Sequence, residues 1–510
     1  MKNIYRIVYT AGFICLSCLS ACNNFEEINT NPDSITKASA SMLCTNIVLS
    51  NVKFNGRDSH AYLQPNAIAK YLGFANESQM PEQYNSFGNS SFEQMTILPN
   101  IEKMVEYATG TAMENSYRGI AKFSRAYMFY KTTMRVGDIP YSQTNQGATG
   151  SYRPIFDSQK DVLLGVLDEL KEADTYFANG IKFDGDPTPF AGDPKKWRKA
   201  TNALALRVLM SMSKKEGDAS LRIKERFAEI VNAGQLLSEA DGYLGLVYTS
   251  VNMHPMAGTN DLFTSRTVIS SLLIDELKKL NDRRLFYFAD PASIKIATGN
   301  NESVMDAYEG VDVSMDYAEM TNNYLKGDYS LLNSRYLKDV SSEPRMVISY
   351  AEQQLILAEA RIYGWITTGS AEDYYKSAVK WALGIQMNTK GDKYAHGMEI
   401  TADYINNYFT GEAAFKSTSS EQLKQIWIQH YILNFMQDAE ESYFEYRRNK
   451  YPVFPINPNT NLNLENASVI PMRWLYPSSE TNYNRENLET ALNNQFDGYD
   501  EVNKLMWILK

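Results

Sequence analysis

The sequence predicts a mainly α-helical fold: helix pairs forming an α-solenoid body, with an irregular loop-rich lobe carrying short strands. Three observations predict it. Apolar residues recur at steps of three and four along several long stretches, the period of one helix face. These stretches come in pairs joined by turn-rich segments. Between them lies a segment, 216–347, where Tyr, Gly, Asn and Asp collect and much of the helical period is lost.

Composition narrows the function classes. The 510 residues carry 60 acidic and 50 basic side chains, a formal charge of −10. Nucleic acid is a poor partner for such a chain, since phosphate binding needs clustered Lys and Arg. With 28 Gly and 17 Pro the chain is far from low-complexity composition, and its charge is too small to enforce disorder. The 34 tyrosines outnumber the 22 Phe and 6 Trp together, the one compositional hint of function.

Residues 1–21 read as a signal peptide. Lys2 and Arg6 precede the mostly apolar run 7–19, too short for a comfortable membrane span. Leu19-Ser20-Ala21-Cys22 then gives way to polar Asn23-Asn24. This resembles a bacterial lipobox, in which the chain is cut before Cys22 and the cysteine is lipidated. The alternative is an ordinary secretory signal with a coincidental cysteine. Several acyl chains anchor a protein stably where one does not. The implied anchor is lipid, and Glu26-Glu27 resembles the acidic residues that mark surface-exposed lipoproteins in some Gram-negative bacteria. Of four cysteines, Cys15 and Cys18 leave with the signal and Cys22 is lipidated. Cys44 is left alone, a small hydrophobe for the core, and no intramolecular disulfide is possible.

Residues 22–37 form a tether with a turn at Asn31-Pro32-Asp33, and 38–510 form the main domain. A first helix is expected near 38–52, and another over 92–108. In 116–135, Ile120, Phe123, Tyr127, Tyr130 and Met134 share one face, stopped by Gly137-Asp138-Ile139-Pro140. Asp157 is expected to cap a helix of 158–177 with Leu163, Leu167, Leu170 and Phe177 inward. After the turns of 184–194, Asp193-Pro194 opens a helix whose face is Trp197, Thr201, Leu204 and Val208. Ile348, Ala351, Leu355, Ala358 and Ile362 form a stripe stopped by Gly364. Tyr375, Ala378, Ala382 and Ile385 form its partner's stripe. A long helical region is expected over 420–447, with Leu423, Trp427, Leu433 and Phe444.

These pairs resemble tetratricopeptide repeats, two antiparallel helices in about 34 residues. Ala371-x-x-x-Tyr375-x-x-Ala378 is the clearest local match, and an irregular helical domain without true repeats is the other reading. The helix-pair body then covers about 38–215 and 348–450. The lobe, about 216–347, reads as loops and short strands around one helix at 267–281. Residues 451–510 hold an extended coil with five prolines, then the last helices.

Several segments together resemble the SusD/RagB family of outer-membrane nutrient-binding lipoproteins, in its SusD-like branch. They are Phe25-Glu-Glu-Ile-Asn-Thr-Asn-Pro-Asp33, Arg135-Val-Gly-Asp-Ile-Pro-Tyr141 and Phe156-Asp-Ser-Gln-Lys160. Trp197-Arg-Lys-Ala-Thr-Asn-Ala-Leu-Ala-Leu-Arg207 and Asn281-Asp-Arg-Arg-Leu285 continue the series. Ile348-Ser-Tyr-Ala-Glu352 with Ala358-Glu-Ala360, and Arg473-Trp-Leu-Tyr-Pro477 with Tyr483-Asn484, complete it. Each is a packing or turn motif; their order along the chain is what is specific. Asp282-Arg283 departs from the family's usual Asp-Pro, and the 300–336 loop has no aligned counterpart. The resemblance implies four tetratricopeptide-like repeats and a lobe that carries the ligand site. It also implies a partner, a TonB-dependent (SusC-like) outer-membrane transporter, to which the lipoprotein delivers oligosaccharide or, in some members, peptide.

Sugars offer C–H faces for aromatic rings and hydroxyls for Asn, Asp and Arg. The candidates are Asn76, Tyr84, Asn85 and Phe87 on the 74–91 loop, and Tyr308, Tyr317, Tyr324 and Asp328 on the 300–330 loop. For any one tyrosine, packing competes with ligand contact. No catalytic residues or cofactors are assigned. His60, His254, His396 and His430 lack metal-ligand spacing, and nucleophile-elbow, zinc-protease and phosphate-loop motifs are absent from the sequence. Glu440-Glu441 and Glu352/Glu359 read as structural acids in helices. Asp184-Gly185-Asp186 and Asn457-Pro458-Asn459 read as turns without calcium-loop spacing. A protein-binding repeat scaffold and a surface glycoside hydrolase are the readings from other classes.

Overall fold

A computed structural model of the chain describes residues 38–54, 58–75, 80–147, 150–259, 265–389 and 391–510. The lipidation expected at Cys22, the tether and the candidate Asn76 lie outside these residues.

Helix α1 (Ala40–Val52) starts where the Ser39 hydroxyl accepts from the Met42 amide. Helix α2 (Ser59–Ile68) is capped by Asp58 and contains Pro65, which hides it from a period-based reading. Strand β1 (Leu72–Phe74) follows. A 3₁₀ turn, Glu93–Ile97, leads into α3 (Leu98–Ala108), so the expected helix at 92–108 begins as a tighter coil.

Helix α4 (Glu114–Val136) carries the expected stripe inward and stops at Gly137, whose φ of +100° a side chain would resist. Helix α5 (Gln159–Ala178) is capped by Ser158, not Asp157 as expected. The Asp157 carboxylate instead accepts from the Tyr141 and Ser142 amides, fixing the corner after α4. Helix α6 (Pro194–Ser211) is capped by Asp193, as its Asp-Pro start predicts.

Helix α7 (Ile223–Ala233) and strand β2 (Tyr243–Leu246) open the lobe region. Residues 267–281 are not one helix: strand β3 (Thr267–Ile269) comes first, and Ser270 then caps α8 (Ser271–Lys279). Nor is 300–336 all loop, because it contains α9 (Tyr317–Lys326), capped by Asp316 and closed by Gly327. Strand β4 (Arg345–Ser349) takes Ile348 out of the helix to which its stripe assigned it. Ser349 caps α10 (Tyr350–Ile362), and α11 (Ala371–Met387) follows.

The expected helix over 420–447 is two helices, α12 (Ser419–Asn434) and α13 (Ala439–Asn449). The break falls at Phe435–Asp438, where Met436 has φ +58°. Residues 451–477 run without regular structure, and α14 (Arg485–Phe496) lies near the end.

Successive helices lie side by side: α4 against α5, α5 against α6, and α10 against α11, with α6 and α12 both on α10. Trp197 centres one layer, wholly buried, with the Phe123, Phe177 and Phe190 ring centroids 5.2, 6.0 and 5.9 Å away. Tyr375 and Ala378 are buried between α11 and its neighbours, and Cys44 is buried as well. No helix among the described residues is long and apolar enough to cross a membrane.

Two antiparallel strand pairs tie distant segments together. Strand β2 pairs with β4, which closes the lobe at its two ends. Strand β1 pairs with β3, Leu72 opposite Ile269, bringing the start of the 74–91 loop onto the lobe. A small second core forms there from Ala75, Val268, Val311, Val313, Met320 and Tyr329. It is separate from the body's main core, and α9 sits on it.

Candidate functional site

The 74–91 segment turns at a 3₁₀ helix, Pro81–Tyr84, and Asn85 follows it in the left-handed region at φ +63°. The half-buried Tyr84 hydroxyl donates to the Met315 carbonyl at 3.2 Å. The Tyr84 carbonyl accepts from the Leu462 amide at 2.7 Å. Thr460 donates through its hydroxyl to the Ser314 carbonyl at 2.7 Å. Three segments far apart in the chain, around 84, 315 and 461, therefore meet at one junction.

Tyr84 and Tyr317 come together there. Burial pushes the Tyr84 phenol well above the usual range, and the nearby Asp316, Tyr317 and Asp312 push it further. The two carboxylates are already engaged. Asp312 accepts from the Ser314 amide, and Asp316 caps α9 through Ala318 and Glu319. Tyr317, Met320 and Tyr324 lie at i, i+3 and i+7 of α9, one face. Met320 is buried, so both tyrosines are drawn half inward; Tyr324 donates to the Ser265 carbonyl at 3.1 Å. The two lie about 10 Å apart along the helix axis, at 1.5 Å per residue. Asp328 is half-buried just past the end of α9.

The remaining candidates are interior. Phe87 is 9% exposed, with its ring 5.3 Å from Tyr443 and 4.9 Å from Trp474. Tyr308 is fully buried, and its hydroxyl donates to the Glu302 carbonyl. Asn85 is buried; its amide donates to the Asn461 side chain and its oxygen accepts from Lys70. These three are packing and framework residues, and offer a ligand little surface. Sequence reasoning missed the coil residues Thr460, Asn461 and Leu462. The run Asn457-Pro-Asn-Thr-Asn-Leu-Asn-Leu464, rich in hydrogen-bonding Asn, was the available signal; in the structure its Leu462 and Leu464 are 44% and 93% exposed.

The acids read as structural are ion-paired in the body. Glu352 is forked onto Arg207, Glu359 onto Arg448, and Glu440 accepts from Arg135. His254 and His430 are buried, which holds both imidazoles down near 4. The motifs behind the family resemblance are likewise ties within the fold. Arg473 bonds Asp500, and Asp282 holds Arg284 at 2.6 Å with both side chains buried.

A body of paired helices, with a loop-rich lobe that shares most of its core, defines a protein of the tetratricopeptide-like helical class. Residues 32–477 match the SusD-like family model, described as "Starch-binding associating with outer membrane", and the chain belongs to that family. A SusD homolog from Bacteroides fragilis is 38% identical, with a TM-score of 0.88, covering 93% of this chain and 100% of its own. A second SusD homolog from the same species is 30% identical at TM-score 0.79, with the same coverage. A chitin-binding protein shares the fold at TM-score 0.70 and 22% identity, over 92% of this chain and 99% of its own. No curated protein matches.

Proposed function

We propose that this protein is a surface-exposed lipoprotein, anchored through Cys22, that binds nutrient oligosaccharides without cleaving them. It delivers them to a TonB-dependent outer-membrane transporter. The observation that carries the binding reading is the junction at which Tyr84 and Tyr317, more than 200 residues apart in sequence, reach one surface. The rings there can lie against sugar C–H groups, as aromatic side chains do in carbohydrate sites. The family's description, starch binding at the outer membrane, supports the ligand class and the location.

Paired carboxylates for hydrolysis find no support at this surface, because Asp312 and Asp316 are spent on turn and helix capping. Calorimetry of the purified chain against maltoheptaose, chitohexaose, xylohexaose and a peptide pool tests the binder. Release of reducing sugar would refute the non-enzymatic reading, and binding of peptides alone would replace the glycan. Copurification of a TonB-dependent barrel from solubilised outer membranes tests the partner.

A further inference from the structure

Lys70 follows α2 in the left-handed region at φ +61°, and its side chain runs into the protein, leaving the residue 1% exposed. Its ammonium donates to the Gln83 carbonyl at 2.6 Å and to the Asn85 side-chain oxygen at 2.8 Å. Among the described residues, no carboxylate forms an ion pair with it. The buried Arg207, Arg284, Arg448 and Arg473 each sit against a carboxylate, whereas Arg447, like Lys70, donates to backbone carbonyls. Burial alone pulls the Lys70 ammonium down to about 7.

Burying a cation with neutral partners only is costly, and a methionine of similar length would fill the same space at less cost. What the lysine gains is geometric. Gln83 and Asn85 flank Tyr84 on either side. Gln83 also accepts from the Phe74 amide at 2.6 Å and donates to the Val313 carbonyl at 3.2 Å. Asn85 reaches the coil at Asn461. The Lys70 ammonium is therefore the point from which strand, lobe and coil are all tied to the residues around Tyr84.

We infer that Lys70 is a positioning residue for ligand binding, holding Gln83 and Asn85 so that Tyr84 faces the junction with α9. This rests on the proposed ligand surface and adds the residue that sets its geometry. It places Lys70 outside direct ligand contact, since it is buried.

The test compares wild type, Lys70→Met and Tyr84→Ala as full chains, with maltoheptaose, chitohexaose and xylohexaose as probes. For Lys70→Met the expected melting temperature is within a few degrees of wild type. Amide exchange of the peptide spanning 81–87 should quicken by about tenfold or more. Affinity for whichever probe wild type binds should fall by about tenfold. Unchanged exchange over 81–87, or unchanged affinity where Tyr84→Ala weakens binding, overturns the role of Lys70 alone. Unchanged affinity in Tyr84→Ala, or no binding of any probe by wild type, overturns the ligand surface and this role with it. If Lys70→Met does not fold, Asn85→Gly removes the other end of the clamp while tolerating the positive φ. The same outcomes then decide.

Discussion

Arg448 grips Glu359 with both arms of its guanidinium, Nη1 to Oε1 at 2.6 Å and Nη2 to Oε2 at 2.9 Å, and both residues are buried. The pair joins α13 to α10 inside the helical body. Burial opposes ionisation of Glu359, but the adjacent Arg448 outweighs it and holds the carboxyl below its ordinary range. Trp427 donates to the same carboxylate at 3.1 Å.

Removing one partner leaves the other charged, buried and unpaired. Arg448→Met is expected to destabilise the protein by about 3–5 kcal/mol. Urea denaturation of the two proteins measures it. A loss under about 1 kcal/mol would show that the pair does not hold these helices together.

Gly119 on α4 lets α5 approach. A Cβ there would stand 2.6 Å from the Phe177 ring, which stacks on Trp197. Gly119→Ala is expected to cost about 1–3 kcal/mol by overpacking. Adding Phe177→Leu should recover part of that loss, because the two changes share one space. Additive losses in the double-mutant cycle would mean that the two positions do not share that space.

The aromatic candidates Phe87 and Tyr317 should separate experimentally. Phe87→Ala removes a buried ring and is expected to cost about 3–5 kcal/mol of stability. Tyr317→Ala, at a half-buried surface position, should weaken oligosaccharide binding by about tenfold, or ~1.4 kcal/mol, with little change in melting. Calorimetry and thermal melts on both variants check this. The reverse pattern would move the ligand surface away from α9.

His396 bridges Asp290, 3.2 Å from Nε2, and Glu302, 3.1 Å from Nδ1. Burial pulls its pKa down, but the hydrogen bonds to both carboxylates outweigh this and leave it above 6.5. The folded state therefore keeps a proton that the unfolded chain has lost. The resulting stability is fully present below about pH 6.5 and is lost as pH rises through the folded value. It amounts to under about 1 kcal/mol, since Glu302 is exposed and screened. His396→Gln should therefore cost more near pH 5.5 than near pH 8.5 in urea titrations. Equal costs at both pH values would show that the bridge does not titrate as described.

Much of the helical body was legible because a helix repeats its pattern locally. The stripe from Ile120 to Met134 needs only its own neighbours to be read, and Gly137 marks its end. Ile348 was misassigned because one apolar residue in register with a helix face fits a strand's inner face equally well. Its place was decided by pairing with Leu244 across the sheet. The break at Met436 was hidden because no Gly or Pro marks it anywhere in 419–449. Helix α9 was missed although Asp316 and Gly327 bracket it, since its Thr-Asn-Asn centre is weak in helix propensity.

The family and its helical fold follow from the order of motifs along the chain. So does the division of the tyrosines into those on helical stripes and those outside them. Which aromatic residues outside the stripes reach the surface was settled by tertiary structure alone. Tyr308 and Phe87 are closed over by neighbours distant in sequence, while Tyr84 and Tyr317 are carried to one edge by the β1–β3 pair and the second core. Periodicity is a property of adjacent residues. Exposure depends on which buried faces find each other, and Lys70, meeting Gln83 and Asn85 beneath Tyr84, takes its meaning only from that packing.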